Sequence, residues 1–496
     1  MSYPEFQNLI GGQWQPAVSG KTLLNLNPAN HNDVVGAFPS SHAEDVNLAV
    51  AAAKKAYASW RLVPAPKRAE ILVRAGLILQ QRKEQYARDM TREMGKVLAE
   101  TRGDVQEAID EAFYVAGEGR RLFGVTTPSE LPNKFAMSLR MPVGVVGLIT
   151  PWNFPMAIPS WKLFPALVSG NTCVIKPATD TPLSTYNLVQ ALLDAGLPPG
   201  VVNIVTGSGS AVGTPLIEHP DVRAVSFTGS SEVGSWVGQR AAATFKPVSL
   251  EMGGKNAQIV MNDANLELAL DGGLWGAFGT TGQRCTATSR ILLQKGIAQK
   301  FTAEFVARAK KLKVGDGLDE SVEVGPQVNP SQIETSAKYV EIALSEGAKL
   351  LAGGHALTEG PHAHGTFFEP TVIGGVTPAM RIAREEVFGP VVSLIEFETF
   401  DEAIAIANSI DYGLSTSIYT RDVNRAFAAM RDLESGITYI NAPTIGAEVH
   451  LPFGGVKQTG NGHREGLGAI DFFTTWKAVY VDFSDKLQRA QIDNAE

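Results

Sequence analysis

Apolar residues recur at helical spacing over residues 43–61, at Val46, Val50, Ala53, Tyr57 and Trp60. Ser41 stands where a cap is wanted, and Pro64 and Pro66 interrupt the pattern. The spacing resumes from Lys67 to about Met94, with Ile71, Ala75, Ile78 and Leu79 on one face. From residue 143 the texture changes. Short β-branched runs at 145–149, 172–175, 201–205 and 224–227 alternate with helical stretches at 161–168, 184–194, 211–218 and 232–243. Strands that are apolar throughout, separated by helices, predict a parallel sheet covered on both faces. Such crossovers build a doubly wound α/β fold, whose ligands sit at the carboxyl ends of the strands. The alternation recurs after residue 255, with strands at 256–261, 290–293 and 391–397 and helices at 297–311, 334–346 and 400–408. Two segments read as projections rather than core: the polar stretch 126–139, and a lone alternating strand at 478–483.

Composition bounds this picture. The chain has 496 residues, about three domains at roughly 150 each. Hydrophobic residues make up 44% and charged residues 19%, which excludes whole-chain disorder. The net charge of −8 argues against nucleic acid as the main partner, because phosphate neutralisation needs a basic footprint. Met1 to Glu5 carries no basic region leading into an apolar core, so no signal peptide is expected. The apolar run at 143–149 is far shorter than the ~20 residues that span a bilayer. Only two cysteines occur, Cys173 and Cys285. A disulfide framework and a four-thiolate metal site are therefore excluded, and a reducing compartment, the cytoplasm, is the expected location.

The two cysteines have different surroundings. Cys173 lies inside the apolar run Thr172-Cys-Val-Ile175 and reads as a small core hydrophobe. Cys285 lies in Gly279-Thr-Thr-Gly282-Gln-Arg284-Cys285-Thr286. Glycines admit a substrate to the backbone, and an adjacent cation favours the nucleophilic thiolate. Glu251, between an apolar strand and Gly253-Gly254, is a candidate general base or a cap. Asn153 in Pro151-Trp-Asn153-Phe-Pro155 is a candidate oxyanion donor or a turn-satisfying amide. Phe227-Thr-Gly229-Ser230 follows a strand and opens a helix, a geometry suited to a pyrophosphate or to plain capping. Lys176-Pro177 ends a strand where a lysine can reach a nucleotide or merely face water. The run Gly207-Ser-Gly209-Ser-Ala-Val-Gly213 misses the dinucleotide fingerprint by one residue. No histidine pair has metal-ligand spacing and no G-x-S-x-G occurs, so neither a metal site nor a serine hydrolase is expected.

Together these segments resemble the aldehyde dehydrogenase superfamily, from Asn8-Leu-Ile-Gly-Gly-Gln-Trp14 to Trp476. The markers are Pro151 to Pro155, Lys176-Pro177, Phe227 to Ser230, Glu251 to Lys255, Gly282 to Cys285, Glu386-Val-Phe388-Gly-Pro390 and Pro452-Phe453-Gly-Gly455. The resemblance implies that Cys285 attacks an aldehyde, that Asn153 and the Cys285 N–H hold the oxyanion, and that Glu251 activates water. It also implies an NAD or NADP cofactor. Trp152 walls its site, Lys176 and Thr179 lie at the adenosine ribose, Gly229, Ser230 and Gly234 on the pyrophosphate path, and Glu386 and Phe388 at the nicotinamide ribose and ring. Lys162 forms part of the wall. NAD-preferring members often carry Glu where Thr179 stands, and its absence removes a repulsion against a 2′-phosphate, so NADP is expected to be accepted as well.

The segments 282–290 and 446–455 are similar to the branch that oxidises carboxylate-bearing semialdehydes such as 2-oxoglutarate semialdehyde; aminoadipate semialdehyde and cyclic imine-derived aldehydes are the alternatives. Phe154 and Phe453 are expected beside the substrate. Arg284 or Arg290 would grip a remote carboxylate, unless either is structural. A coenzyme A-acylating member would lack the glutamate base, and a non-catalytic descendant need not keep Asn153, Glu251 and Cys285. The expected architecture is a Rossmann-type nucleotide-binding domain (1–124 and 140–254), an α/β catalytic domain (255–453) and a β arm with a C-terminal tail (125–139 and 454–496). An exposed edge strand needs a partner, so a homodimer or homotetramer is expected.

Overall fold

The computed structural model describes residues 3–461 and 466–493, so part of the 454–496 segment lies outside the described residues. The first sheet is seven-stranded. Its order is Val248–Glu251, Val222–Thr228, Val145–Ile149, Thr172–Lys176, Val202–Ile204, Asn8–Ile10 and Gln13–Gln15. Neighbours among the first five are parallel, and the last two strands join antiparallel. Val145–Ile149 and Thr172–Lys176 are buried at every position, which is why they read as unbroken apolar runs. From Val145–Ile149 the chain winds one way through the next two strands, then returns to place Val222–Thr228 on its other side. That reversal is the topological switch point, where a crevice opens beyond the carboxyl ends.

The second sheet is also seven-stranded: Lys349–Ala352, Thr371–Gly374, Val391–Phe397, Thr288–Gln294, Asn256–Val260, Ser415–Tyr419 and Ile437–Ile440. All its pairs are parallel except Lys349–Ala352 on Thr371–Gly374. Only Met252, Gly253, Gly254 and Lys255 separate the last strand of the first sheet from Asn256. The carboxyl edge of the first sheet therefore meets the amino edge of the second, and the chemistry collects at that junction. A small apolar cluster of Ala157, Ile158, Trp161, Leu414 and Phe453 packs there against Phe154 and Cys285.

Several expectations shift. The predicted helix 67–94 is two helices, Ala65–Gln81 and Lys83–Met94, broken at Arg82. His42 caps Ala43–Trp60 through a reciprocal pair with Asp45, while Ser41 instead accepts a hydrogen bond from Asn8. The stretch 211–218 begins as a wide turn, Gly209–Gly213, before Thr214–Glu218 becomes α-helical. A long helix not predicted from the sequence, Leu98–Glu118, packs on Ala157–Ser169. The lone strand is Thr474–Asp482, paired along its whole length with Lys134–Pro142, which also pairs with Val125–Pro128. Among the described residues, this three-stranded arm leaves the other edge of Thr474–Asp482 without a neighbour. No helix among the described residues is long and apolar enough to cross a membrane.

Candidate active site

A cavity of about 190 Å³ opens at the switch point. Pro151 to Asn153, leaving Val145–Ile149, form one wall, and Thr228 to Ser230, leaving Val222–Thr228, form another. Glu251, Met252 and Gly253 supply the floor, and Cys285, Glu386 and Phe388 come from the second sheet's side. Residues 132 apart in the chain, Asn153 and Cys285, thus line one space, with Glu251 beside them.

The nucleophile loop is held from several sides. Thr280 and Thr281 both have left-handed backbones, with φ of 52° and 56°. Such conformations persist only when the surroundings over-determine them. Thr280 N–H donates to Glu100, Thr281 Oγ1 to the Gly325 carbonyl, and Val328 N–H to the Gln283 side chain. Gly282 must be glycine, because a Cβ would stand 2.2 Å from the Gly389 oxygen. Asn256 Nδ2 donates to the carbonyls of Cys285 (2.7 Å) and Ala287 (2.9 Å), while its Oδ1 accepts from Ser415 N–H (3.0 Å). Asn153 is 3% exposed and spends one Nδ2 hydrogen on the Gln283 carbonyl at 3.1 Å. That bond aims the amide while leaving its second hydrogen for an oxyanion.

Glu251 ends Val248–Glu251 and is buried, with neither carboxylate oxygen in an ordinary hydrogen bond. Burial pushes its pKa up; the Lys162 ammonium and the Cys285 thiol favour the charged form, and the Glu386 carboxylate opposes it. Lys162 is fixed by donating to Ser226 Oγ at 2.8 Å. Cys173 is fully buried and its thiol is pushed far up by desolvation. Of the two cysteines only Cys285 reaches the cavity.

Gly229 and Ser230 lead into the helix Ser231–Ala242, which Ser230 caps through Val233 N–H. Helix N-termini with free N–H groups favour phosphate. A Cβ on Gly234 would lie 2.1 Å from Met252 Sδ, so the helix start packs directly on the floor. Glu386 accepts from Gly254 N–H at 2.9 Å, and burial raises its pKa to about 7. Phe388, at φ 56°, sets its ring edge-on to Trp152, 5.3 Å between centroids. The glycine-lined helix start, the Glu386 carboxylate and these two rings fit a dinucleotide: a pyrophosphate at the helix, a ribose at the carboxylate and a flat ring by the aromatics. Lys176 and Thr179 do not line this cavity. Lys176 is buried at the sheet's carboxyl edge, its ammonium on the Pro177 carbonyl at 2.8 Å and its pKa lowered by desolvation to about 8, while Thr179 is exposed.

The expected substrate residues divide. Phe154 and Phe453 pack in the cluster that includes Cys285. Arg284 lies over the Phe154 ring at 5.2 Å but is already paired with Glu100 at 3.2 Å. Arg290 is not brought to the cavity. It is 2% exposed, and its guanidinium donates to the carbonyls of Lys255, Ile406 and Ala407. Its strand is covered on both faces, so a cation that reads as available in the sequence is consumed by the fold. Sequence reasoning did not single out Asn256 or Gln332, which carry no distinguishing local pattern, and it named Thr228 only within the Phe227 to Ser230 motif.

The aldehyde dehydrogenase family model matches residues 14–479. The chain is 45% identical over 477 residues to the alpha-ketoglutaric semialdehyde dehydrogenase of Bacillus subtilis (strain 168), covering 96% of this chain and 98% of that protein. It is 39% identical to the NADP(+) succinate-semialdehyde dehydrogenase of Escherichia coli (strain K12), covering 93% of this chain and 94% of that one. The crystal structure of betaine aldehyde dehydrogenase from Staphylococcus aureus in complex with NAD+ superposes with a TM-score of 0.95 at 35% identity, over 97% of this chain and 96% of that one. With five of its seven motifs meeting at one cavity and residues 14–479 matched, the chain belongs to the aldehyde dehydrogenase family, as an NAD(P)-dependent oxidoreductase.

Proposed function

We propose that this protein oxidises a carboxylate-bearing semialdehyde to the dicarboxylic acid, with 2-oxoglutarate semialdehyde as the first substrate to test. The observation that carries the reading is the convergence of Cys285, Asn153 and Glu251 on one cavity. The similarity to the Bacillus subtilis enzyme supports the choice of substrate. The Cys285 sulfur adds to the aldehyde carbon, and the carbonyl oxygen becomes an oxyanion held by Asn153 Nδ2 and the Cys285 N–H. Each such donor is worth about 3 kcal/mol of transition-state stabilisation. Gly229, Glu386 and Phe388 would hold NAD or NADP, which would accept the hydride that leaves the aldehyde carbon, so that Cys285 is left carrying the acyl group as a thioester. Glu251 then takes a proton from water, whose oxygen displaces the Cys285 sulfur and frees the acid. Covalent catalysis splits one hard step into two. Glu251 on the cavity floor favours water over coenzyme A as acyl acceptor.

Two variants test the chemistry. Cys285→Ala is expected to lose oxidation altogether, and substantial remaining turnover would remove Cys285 as nucleophile. Glu251→Gln is expected to keep a first burst of reduced cofactor and lose steady turnover.

The division into a nucleotide-binding domain (1–124 and 140–254), a catalytic domain (255–453) and an arm (125–139 and 454–496) belongs to the same reading. It is supported by the two sheets meeting at Met252 to Lys255. The unpaired edge of Thr474–Asp482, with Trp476, Tyr480 and Val481 exposed, supports a homodimer or homotetramer. A free thiol nucleophile works in a reducing compartment, which supports a cytoplasmic location.

A further inference from the structure

The helix Leu98–Glu118 carries Glu100, Asp104, Glu107 and Glu111 at spacings of four, three and four, so one stripe of carboxyl groups faces inward. The first two are matched by cations. Glu100 pairs with Arg284 at 3.2 Å, and Asp104 pairs with the fully buried Lys96 at 2.6 Å and accepts from Ala157 N–H at 2.7 Å. Glu107 and Glu111 have no ion-pair partner among the described residues. Glu111 is 1% exposed, and its Oε1 is buried without a hydrogen bond. Both line a small cavity with Trp161, Phe453 and Glu448, whose volume of about 10 Å³ holds roughly one water. Trp161 and Phe453, 5.3 Å between ring centroids, also pack in the cluster containing Phe154, Ile158 and Cys285. The aromatic pair is therefore a wall shared by the thiol's side and the acid pocket.

We propose that Glu107 and Glu111 form the subsite for the end of the substrate remote from its aldehyde, each as a neutral carboxylic acid donating a hydrogen bond to a carboxylate or oxo oxygen. The proposal rests on the reading that the substrate carries such a group. Desolvation raises Glu107 to about 8 and Glu111 well above its ordinary value, which favours the neutral acid form of each, as the lack of a pairing cation also does. Asp104 and Asp110 reinforce the rise for Glu107 while Arg284 and Lys96 oppose it, and Glu107 does the same for Glu111 as the two aspartates do for Glu107. From the facing segments come Tyr439, its phenol pushed up to about 12 by burial and by Cys285, Glu107 and Glu448, and the exposed Glu448 beside His450. An O–H···O⁻ bond is among the stronger hydrogen bonds, and it uses the orphaned oxygen's carboxyl without a new charge pair. With Lys96 and Arg284 already paired, two acids rather than a free arginine meet the anion. A single ordered water between them is the local alternative.

The test compares 2-oxoglutarate semialdehyde, pentanal and 4-aminobutanal on the wild type and on Glu107→Gln, Glu111→Gln, Glu107→Leu and Glu111→Leu, from pH 6.5 to 9.5. The readout is kcat/KM for each aldehyde relative to pentanal, which cancels the shared titrations of the chemistry. For the wild type the semialdehyde-to-pentanal ratio is expected to fall above about pH 8, through KM. The Gln variants keep an N–H donor that cannot ionise. They are expected to hold KM within about threefold at pH 7, and each to remove its own acid's share of the fall, Glu107→Gln the part near pH 8. Each Leu variant is expected to raise the semialdehyde KM by about tenfold or more, with kcat and the pentanal constants nearly unchanged. Equal effects on pentanal and semialdehyde would reduce the pair to a structural role, or to the water between them, and overturn the subsite. So would an undiminished pH-dependent fall in both Gln variants, or a wild type that prefers 4-aminobutanal and loses that preference on Glu→Gln. A wild type that oxidises pentanal but not the semialdehyde overturns the substrate reading and the subsite together. Insensitive variants of an enzyme active on the semialdehyde overturn the subsite alone.

Discussion

Gly253→Ala separates the cofactor's contacts from the nucleophile's. A Cβ at Gly253 would stand 2.1 Å from Glu386 Oε2 and 2.7 Å from its Cδ. Gly253 has no left-handed backbone, so alanine fits the chain and the closest conflict falls on the Glu386 carboxylate. The carboxylate must turn away, which breaks the 2.9 Å bond from Gly254 N–H to Oε1. A hydrogen bond to a charged group contributes about 1.5–3 kcal/mol, and to a neutral one nearer 1. With the Glu386 pKa raised to about 7 by burial, the hydrogen bond that the displaced carboxylate would no longer make to a cofactor hydroxyl is worth about 1.5 kcal/mol, close to tenfold in affinity. Calorimetric titration with NAD and NADP is therefore expected to show Kd raised about tenfold. Alkylation of Cys285 by iodoacetamide is expected within about twofold of the wild-type rate, because Asn256, Asn153 and Glu100 still hold the loop. Cofactor affinity within twofold of wild type would refute the assignment of Glu386 to the cofactor. A large loss of alkylation would refute the independence of the two halves.

Three further outcomes follow from the same geometry. Asn256→Ala leaves the Ser415 N–H and the Cys285 carbonyl unsatisfied in a buried setting, at about 1–3 kcal/mol for the orphaned donor; it is expected to lower the thermal midpoint and reduce kcat at least tenfold, measured by calorimetry and steady-state rates. Because burial raises the Glu251 pKa, the working base exists only above that raised value, so hydrolytic turnover is expected to climb with pH through a midpoint above the ordinary carboxylate range; a flat profile, or an unchanged one in Glu251→Gln, would exclude Glu251 as the base. Thr179→Glu is expected to cut kcat/KM for NADP at least tenfold while sparing NAD, and a wild type preferring NAD by more than about 100-fold, about 2.7 kcal/mol, would count against dual use.

The parallel strands were legible because both faces of Val145–Ile149 and Thr172–Lys176 are buried, which writes them as continuous apolar runs. The helix Leu98–Glu118 was not, because Asp104 and Glu111 are buried where periodicity expects leucine. The break at Arg82 has no proline or glycine to announce it. Cys285, Glu251 and Asn153 could be ranked by local chemistry, yet nothing local says that a loop before Thr288–Gln294 meets a turn after Val145–Ile149. That meeting depends on the order of strands in two sheets, and the family resemblance supplied it. Arg290 shows the opposite failure: a cation next to a chemical motif is assumed free until the carbonyls that hold it are seen.

The arm also constrains how the protein is made. Its hairpin, Val125–Pro128 and Lys134–Pro142, emerges before either sheet is complete, but its third strand is Thr474–Asp482. Closing more than 330 residues is slow and entropically costly until the intervening sheets have formed and brought the ends together. A ribosome adding about 5–20 residues per second spends on the order of half a minute on that stretch. Throughout it the hairpin presents an unpaired strand in Lys134–Pro142, and the edge proposed for association does not yet exist. The association proposed through that edge therefore requires synthesis to have passed residue 482.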